Sequence, residues 1–192
     1  FDIRKDSLYC DAKNSKIRLS TQTVLDILFH HLLRLLGPIL CFTIEEAWQS
    51  RMGIDSSIHT ENFCSIDETW IRNDLDDGWN FYKKLKRLIN GAIELERKNK
   101  TIGSSLEASV VLYINDDKKF NLVNSETVEQ VAIISSIEIK KDNLPDDCYS
   151  LDDDKSVGVL VSRVDGKKCE RCWKYFPKLK DHICDRCNDV IQ

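Results

Sequence analysis

Near the end of this 192-residue chain, Cys169-Glu170-Arg171-Cys172 and Cys184-Asp185-Arg186-Cys187 form two C-x-x-C knuckles separated by eleven residues. Each knuckle turns tightly enough to aim two sulfurs at one point, and two knuckles on a short connection close a tetrahedral S4 shell. Such a shell suits one Zn2+, with iron as the minor alternative for the same four sulfurs. Because the shell leaves no open coordination position and zinc has no redox chemistry, the expected role is structural. The metal holds a loop too small to bury a core of its own. Cys169, Cys172, Cys184 and Cys187 are the expected ligands.

Two disulfides are the competing use of four cysteines, and they need an oxidising compartment. The chain shows no signal-peptide pattern of basic start, apolar run and small-residue cleavage site. Cys10, Cys41, Cys64 and Cys148 are scattered without partner spacing, as in proteins of a reducing cytosol, so a cytoplasmic location is expected. No apolar run approaches the roughly 20 residues that span a membrane, and no membrane partner is expected.

Net charge is only −4, but its distribution is uneven. From Trp79 to Lys100, seven basic residues stand against Glu94 and Glu96, a net of +5; from Gly166 to Cys187, seven stand against three acids, a net of +4. Two basic islands on an acidic protein point to localised contact with a polyanion. Four thiolates around one Zn2+ carry −2, which lowers the second island to about +2. Lysines on a solvated helix face account equally well for the first island taken alone.

Apolar periodicity predicts three helices. Ser20 is the expected cap of the first, with Val24, Leu25, Leu28, Leu32, Leu35 and Leu36 at helical spacing up to the break at Gly37-Pro38. Thr43-Ile44-Glu45-Glu46 reads as a capping box opening the second, and Ser65-Ile66-Asp67-Glu68 has the same form. The third is expected from about Trp79 to Lys100 with Tyr82, Leu85, Ile89, Ala92 and Ile93 buried and Glu94 paired with Lys98. Together they read as an antiparallel helical bundle. At Gly103 the period changes to two: Ala108, Val110, Leu112 and Ile114 alternate with Ser109, Val111 and Tyr113 as a strand. A short helix over Ser125 to Ile134 and strands at Ile137–Ile139 and Val157–Val164 follow. The stretch Lys141 to Asp154, with six aspartates, reads as a solvated loop. The expected class is therefore mainly α: a helical bundle over 1–102, a small α+β domain over 103–165 and a zinc-knuckle module over 166–192.

No catalytic constellation is present, so no catalytic residue is assigned. The chain has no G-x-x-x-x-G-K-[ST], G-x-G-x-x-G or G-x-S-x-G motif. His30 and His31 read as core or boundary residues of the first helix, and His182 is surplus to a completed S4 shell. Trp173 has two readings. It follows Cys172 directly, and Lys167, Lys168, Arg171 and Lys174 surround it in sequence, the arrangement that stacks an unpaired base while neutralising phosphates. Alternatively, Trp173 and Tyr175 cover the metal as the module's miniature core.

The residues also match a known family. Phe1 to Asp11 (FDIRKDSLYCD), Gly37 to Thr43 (GPILCFT) leading to Glu46-Ala47-Trp48, and Lys100 to Ala108 (KTIGSSLEA) resemble the C-terminal third of bacterial-type isoleucyl-tRNA synthetases, and Lys168 to Tyr175 (KCERCWKY) is similar to the zinc module that ends them. Asn115 to Asp165 matches loosely. The eleven-residue spacer is shorter than in many members, so the loop from Tyr175 to Ile183 is expected to differ in shape. The resemblance implies a class I anticodon-binding domain, a junction domain packed on it, and a module reaching the anticodon loop of isoleucine tRNA. Arg171 and Trp173 occupy the family's nucleotide-contacting positions, with Lys167, Lys168 and Lys174 beside them. It further implies a monomer working in cis with a catalytic body that uses ATP and Mg2+ and with an editing domain that hydrolyses mischarged valine. Neither H-I-G-H nor K-M-S-K-S occurs here, and the chain opens at Phe1 without Met, so those parts are expected upstream. Two other readings compete. A DNA-repair glycosylase carries a similar finger but needs an N-terminal proline nucleophile, where this chain has Phe1-Asp2. A free-standing zinc-ribbon and helical-bundle protein would bind other proteins and have no affinity for tRNA.

Overall fold

The computed structural model describes residues 1–191. In chain order the elements are α1 (Lys5–Cys10), α2 (Lys16–Leu36), α3 (Cys41–Met52), α4 (Asp76–Lys98), β1 (Ala108–Ile114), α5 (Asp117–Leu122), α6 (Ser125–Ala132), β2 (Ser136–Lys140), β3 (Tyr149–Leu151), β4 (Asp154–Arg163), β5 (Lys167–Lys168), β6 (Tyr175–Phe176) and α7 (Asp185–Ile191). They form two compact units, Phe1–Asp11 with the chain from Asn73 onward, and Ala12–Arg72.

The first unit is built on β1, whose alternation buries Ala108, Val110, Leu112 and Ile114 completely. β1 pairs in parallel with β2 and antiparallel with β4, and β3 closes the order β2-β1-β4-β3. A parallel pair needs a crossover, and α5 and α6 supply it. α4 packs on this sheet with Leu85, Leu88, Ile89, Ala92 and Ile93 against the β1 and β4 side chains. Each of the buried Leu and Ile side chains contributes about 1.5–3 kcal/mol. Gly91 lets α4 approach β3 closely: a Cβ there would lie 2.6 Å from the Tyr149 hydroxyl.

Two local expectations are corrected in this unit, and one element is added. Glu94 pairs with Arg97 at 2.7 Å rather than with Lys98. The acidic stretch contains β3, because Tyr149 and Leu151 pack against the core and draw the backbone into the sheet edge. α5 has no counterpart in the sequence reading; its six residues are too few for a periodic stripe, and it is fixed by the Asp116 cap on the Lys119 amide and by Phe120 on the core.

In the second unit, Leu33 of α2 buries against Ile44 and Trp48 of α3 and against Ile58, with Phe29 stacked on Trp48. The Trp48 indole N–H donates to Ser56 Oγ at 2.8 Å, which satisfies its one polar atom. The expected caps are displaced here. Ser15, not Ser20, caps α2 by accepting from the Arg18 amide, while Ser20 donates back to the Ile17 carbonyl. Thr43 lies inside α3, whose first turn has no side-chain cap, and Asp67 rather than Ser65 caps the turn before Trp70. The stripe Val24, Leu28, Leu32 and Leu35 is exposed, and Phe29 and Leu33 make the buried contact. Among the described residues no helix is long and apolar enough to cross a membrane.

Candidate metal centre and nucleic-acid surface

The first knuckle is the turn between β5 and β6, which pair antiparallel, and the second opens α7. The Trp173 amide donates to the Cys169 carbonyl and the Cys169 amide to the Lys174 carbonyl, both at 2.9 Å, so the chain curls around the Cys169 sulfur. The Sγ atoms of Cys169, Cys172, Cys184 and Cys187 all lie within 4.8 Å of one another, and all four residues are buried. Phe176, Leu179 and Ile183 cover them. On the sheet side, Ser135 Oγ accepts the Tyr175 amide at 2.9 Å, and Lys174 Nζ lies 3.6 Å from Glu129.

The electrostatics of the cluster select a cation. Burial pushes the Cys169 thiol up, but the backbone N–H groups of Cys172, Cys184 and Arg171 outweigh it and bring the thiol down to about 6. Burial raises the Cys172 and Cys184 thiols, and the neighbouring sulfurs add to the rise at Cys172. Four buried sulfurs with amides aimed at them cannot all ionise unless a cation is shared between them. That donor set fits one Zn2+ in a closed structural site. His182 is exposed and contributes only its carbonyl, to the Glu170 amide at 3.1 Å.

A fifth cysteine lies against the cluster. Cys10 is buried with the four, and burial, Asp6 and Cys187 together push its thiol up to about 11, so it remains protonated at neutral pH. Its Sγ donates to the Arg171 carbonyl at 3.6 Å. Nothing in its sequence spacing marks this position.

The five residues expected at a nucleic-acid surface divide in two. Arg171 and Lys174 are partly buried: the Arg171 guanidinium donates to the Cys10 and Tyr9 carbonyls at 2.6 and 3.2 Å, and Lys174 pairs with Glu129. Lys167, Lys168 and Trp173 face solvent. Trp173 is 60% exposed, which removes the reading of this ring as the module's core. Its backbone has φ +67°, a left-handed conformation that bulky residues rarely adopt. Lys168 Nζ lies 5.3 Å from the centre of the indole, so cation and aromatic plane form one exposed feature. Arg186, whose sequence position reveals only its charge, grips Asp6 with both terminal nitrogens at 2.7 Å. The repeat C-x-R-C is the signal that pairs it with Arg171.

Comparison with known proteins matches residues 1–112 to the family described as "Anticodon-binding domain of tRNA ligase". The chain belongs to this family. Residues 166–190 match a second description, "Zinc finger found in FPG and IleRS", which places the four cysteines inside a recognised zinc module and supports one structural zinc. This member of the anticodon-binding family is 36% identical to the isoleucine–tRNA ligase of Ruegeria pomeroyi over all of its own length and 20% of that relative. It is 37% identical to that of Bartonella quintana over 91% of itself and 18% of the relative. With that of Brucella abortus it shares 40% identity, again over 91% and 18%. The chain thus spans about a fifth of the curated relatives it matches and corresponds to their C-terminal, non-catalytic region.

Proposed function

We propose that this chain is the tRNA-reading portion of an isoleucine–tRNA ligase and that it binds the anticodon stem-loop of isoleucine tRNA. The observation that carries the reading is Trp173: a large aromatic ring held in a left-handed backbone conformation beside the metal cluster, exposed, with Lys168 over its face. A ring needed only for packing would be buried, whereas a base-stacking platform must be open on one side. In this proposal Cys169, Cys172, Cys184 and Cys187 hold the zinc. Trp173 stacks a base, Lys167 and Lys168 neutralise phosphates, and Arg171 and Lys174 add positive potential at the rim.

The proposed division of labour is a helical anticodon-binding part over 1–102, a junction over 103–165 and the zinc module over 166–192. Charging with isoleucine at the expense of ATP and Mg2+, and editing of valine, belong to other parts of the ligase acting in cis. The protein works as a monomer in the cytoplasm.

The reading is tested by titrating the chain with isoleucine-tRNA and unrelated anticodon stem-loops at several salt concentrations. The expected result is preference for the isoleucine stem-loop and a slope of log K against log salt of about −1.5 to −3, the range for two to four phosphate contacts on a single-stranded loop. Equal, salt-independent or undetectable binding of all stem-loops would refute it.

A further inference from the structure

The two arginines at equivalent positions of the C-x-R-C repeat reach the same distant segment. Arg171, in the first knuckle, holds the carbonyls of Tyr9 and Cys10. Arg186, in the second, makes a bidentate pair with Asp6 at 2.7 Å for each bond and also reaches Asp11 at 3.3 Å. Between them the Cys10 side chain is buried against the four cluster cysteines. On its other side the segment is tied to α6, where Arg4 Nη1 donates to Gln130 at 2.7 Å.

We infer that Phe1–Asp11 is a clasp whose docking is linked to metal occupancy of the four-cysteine cluster, with Arg171 and Arg186 as its positioning residues. Each guanidinium stands one residue before the second cysteine of its knuckle, so its direction is set by how the two sulfurs are held. A bidentate guanidinium–carboxylate pair tolerates little misalignment. With zinc in place, both knuckles are closed and both arms point at the segment. Without it, four buried sulfurs lose the charge that lets them share one site, the knuckles loosen, and the arms lose their common target. The converse holds as well: removing the clasp uncovers the wall of the cluster that Cys10 fills, which costs metal affinity. Linkage makes the two effects equal in free energy. None of this depends on nucleic-acid binding.

Hydrogen exchange on the full chain tests one direction. Chelation of zinc is expected to speed exchange in Lys5–Cys10 about tenfold or more, while the amides of β1 keep their protection. Competition with a colorimetric zinc chelator tests the other. Asp6→Ala, which lies outside the zinc module, and Arg186→Lys, which keeps the charge but loses the fork, are each expected to weaken zinc binding by about 5- to 10-fold. Unchanged exchange in Lys5–Cys10 after chelation, or parental zinc affinity in both variants, would overturn the inference. Equal loss of protection in β1 and in the clasp would also overturn it, since that is global unfolding rather than linkage.

Discussion

Trp173 sits at a backbone position that favours glycine, and the cost of holding a bulky residue at φ +67° is of order 1–3 kcal/mol. The module tolerates that cost because the Trp173 amide is fixed to the Cys169 carbonyl and the next carbonyl to the Cys169 amide, both inside a turn that the metal closes. Strain kept at an exposed aromatic ring is understandable if the ring meets a ligand. The cysteines make a second residue-scale demand. Removing one of four buried sulfurs leaves three that cannot complete a tetrahedral shell, so Cys172→Ser is expected to lose most of its zinc by metal analysis. About one zinc per chain in that variant would refute the S4 assignment.

At the scale of elements, the short helix α5 is held onto β4 by a partly buried ion pair, Lys119 to Asp154 at 2.6 Å, with Ser156 Oγ sharing both partners. Burial pushes the Asp154 carboxyl up, but hydrogen bonds from Lys119 and Ser156 and the Lys119 charge outweigh it and hold it below the usual carboxylate range. A lowered folded pKa contributes stability that is complete above the unfolded value of about 3.9 and is lost as pH falls through the folded value. Asp154→Asn is therefore expected to cost about 1–2 kcal/mol at pH 7 by urea denaturation, with the difference from the parent closing below about pH 4. A gap that stays constant down to pH 3 would contradict this account.

These elements also show what a sequence can reveal. β1 was legible because its buried face and its period coincide, and the knuckles because spacing and sulfur chemistry coincide. The stripe on α2 was legible as a face but not as a buried one, since periodicity does not say what covers it. β3 was hidden because its two packing residues stand among aspartates whose charge reads as solvation. The caps moved by a few residues because several Ser, Thr and Asp were equally eligible, and tertiary packing chose among them. At the metal site the four cysteines could be read directly, but Cys10 and Asp6 could not: they arrive from more than 150 residues away in sequence, and only the fold brings them there.

Across the whole molecule, the net charge of −4 opposes approach to RNA, so any affinity must come from local surface. In the proposed function Lys167, Lys168 and the Trp173 ring provide such a surface, on a module whose buried cluster is made of cysteines rather than of a conventional apolar interior. On this proposal the Trp173 ring is there to be touched. The most direct test is Trp173→Gly against the isoleucine-tRNA anticodon stem-loop, with zinc content and thermal stability measured on the same samples. Glycine adopts φ +67° without strain, so the variant is expected to keep its zinc and melt no lower than the parent. It is also expected to bind the stem-loop about 1–3 kcal/mol more weakly, the scale of one lost stacked base. Unchanged affinity in a stable, zinc-loaded variant would contradict the claim.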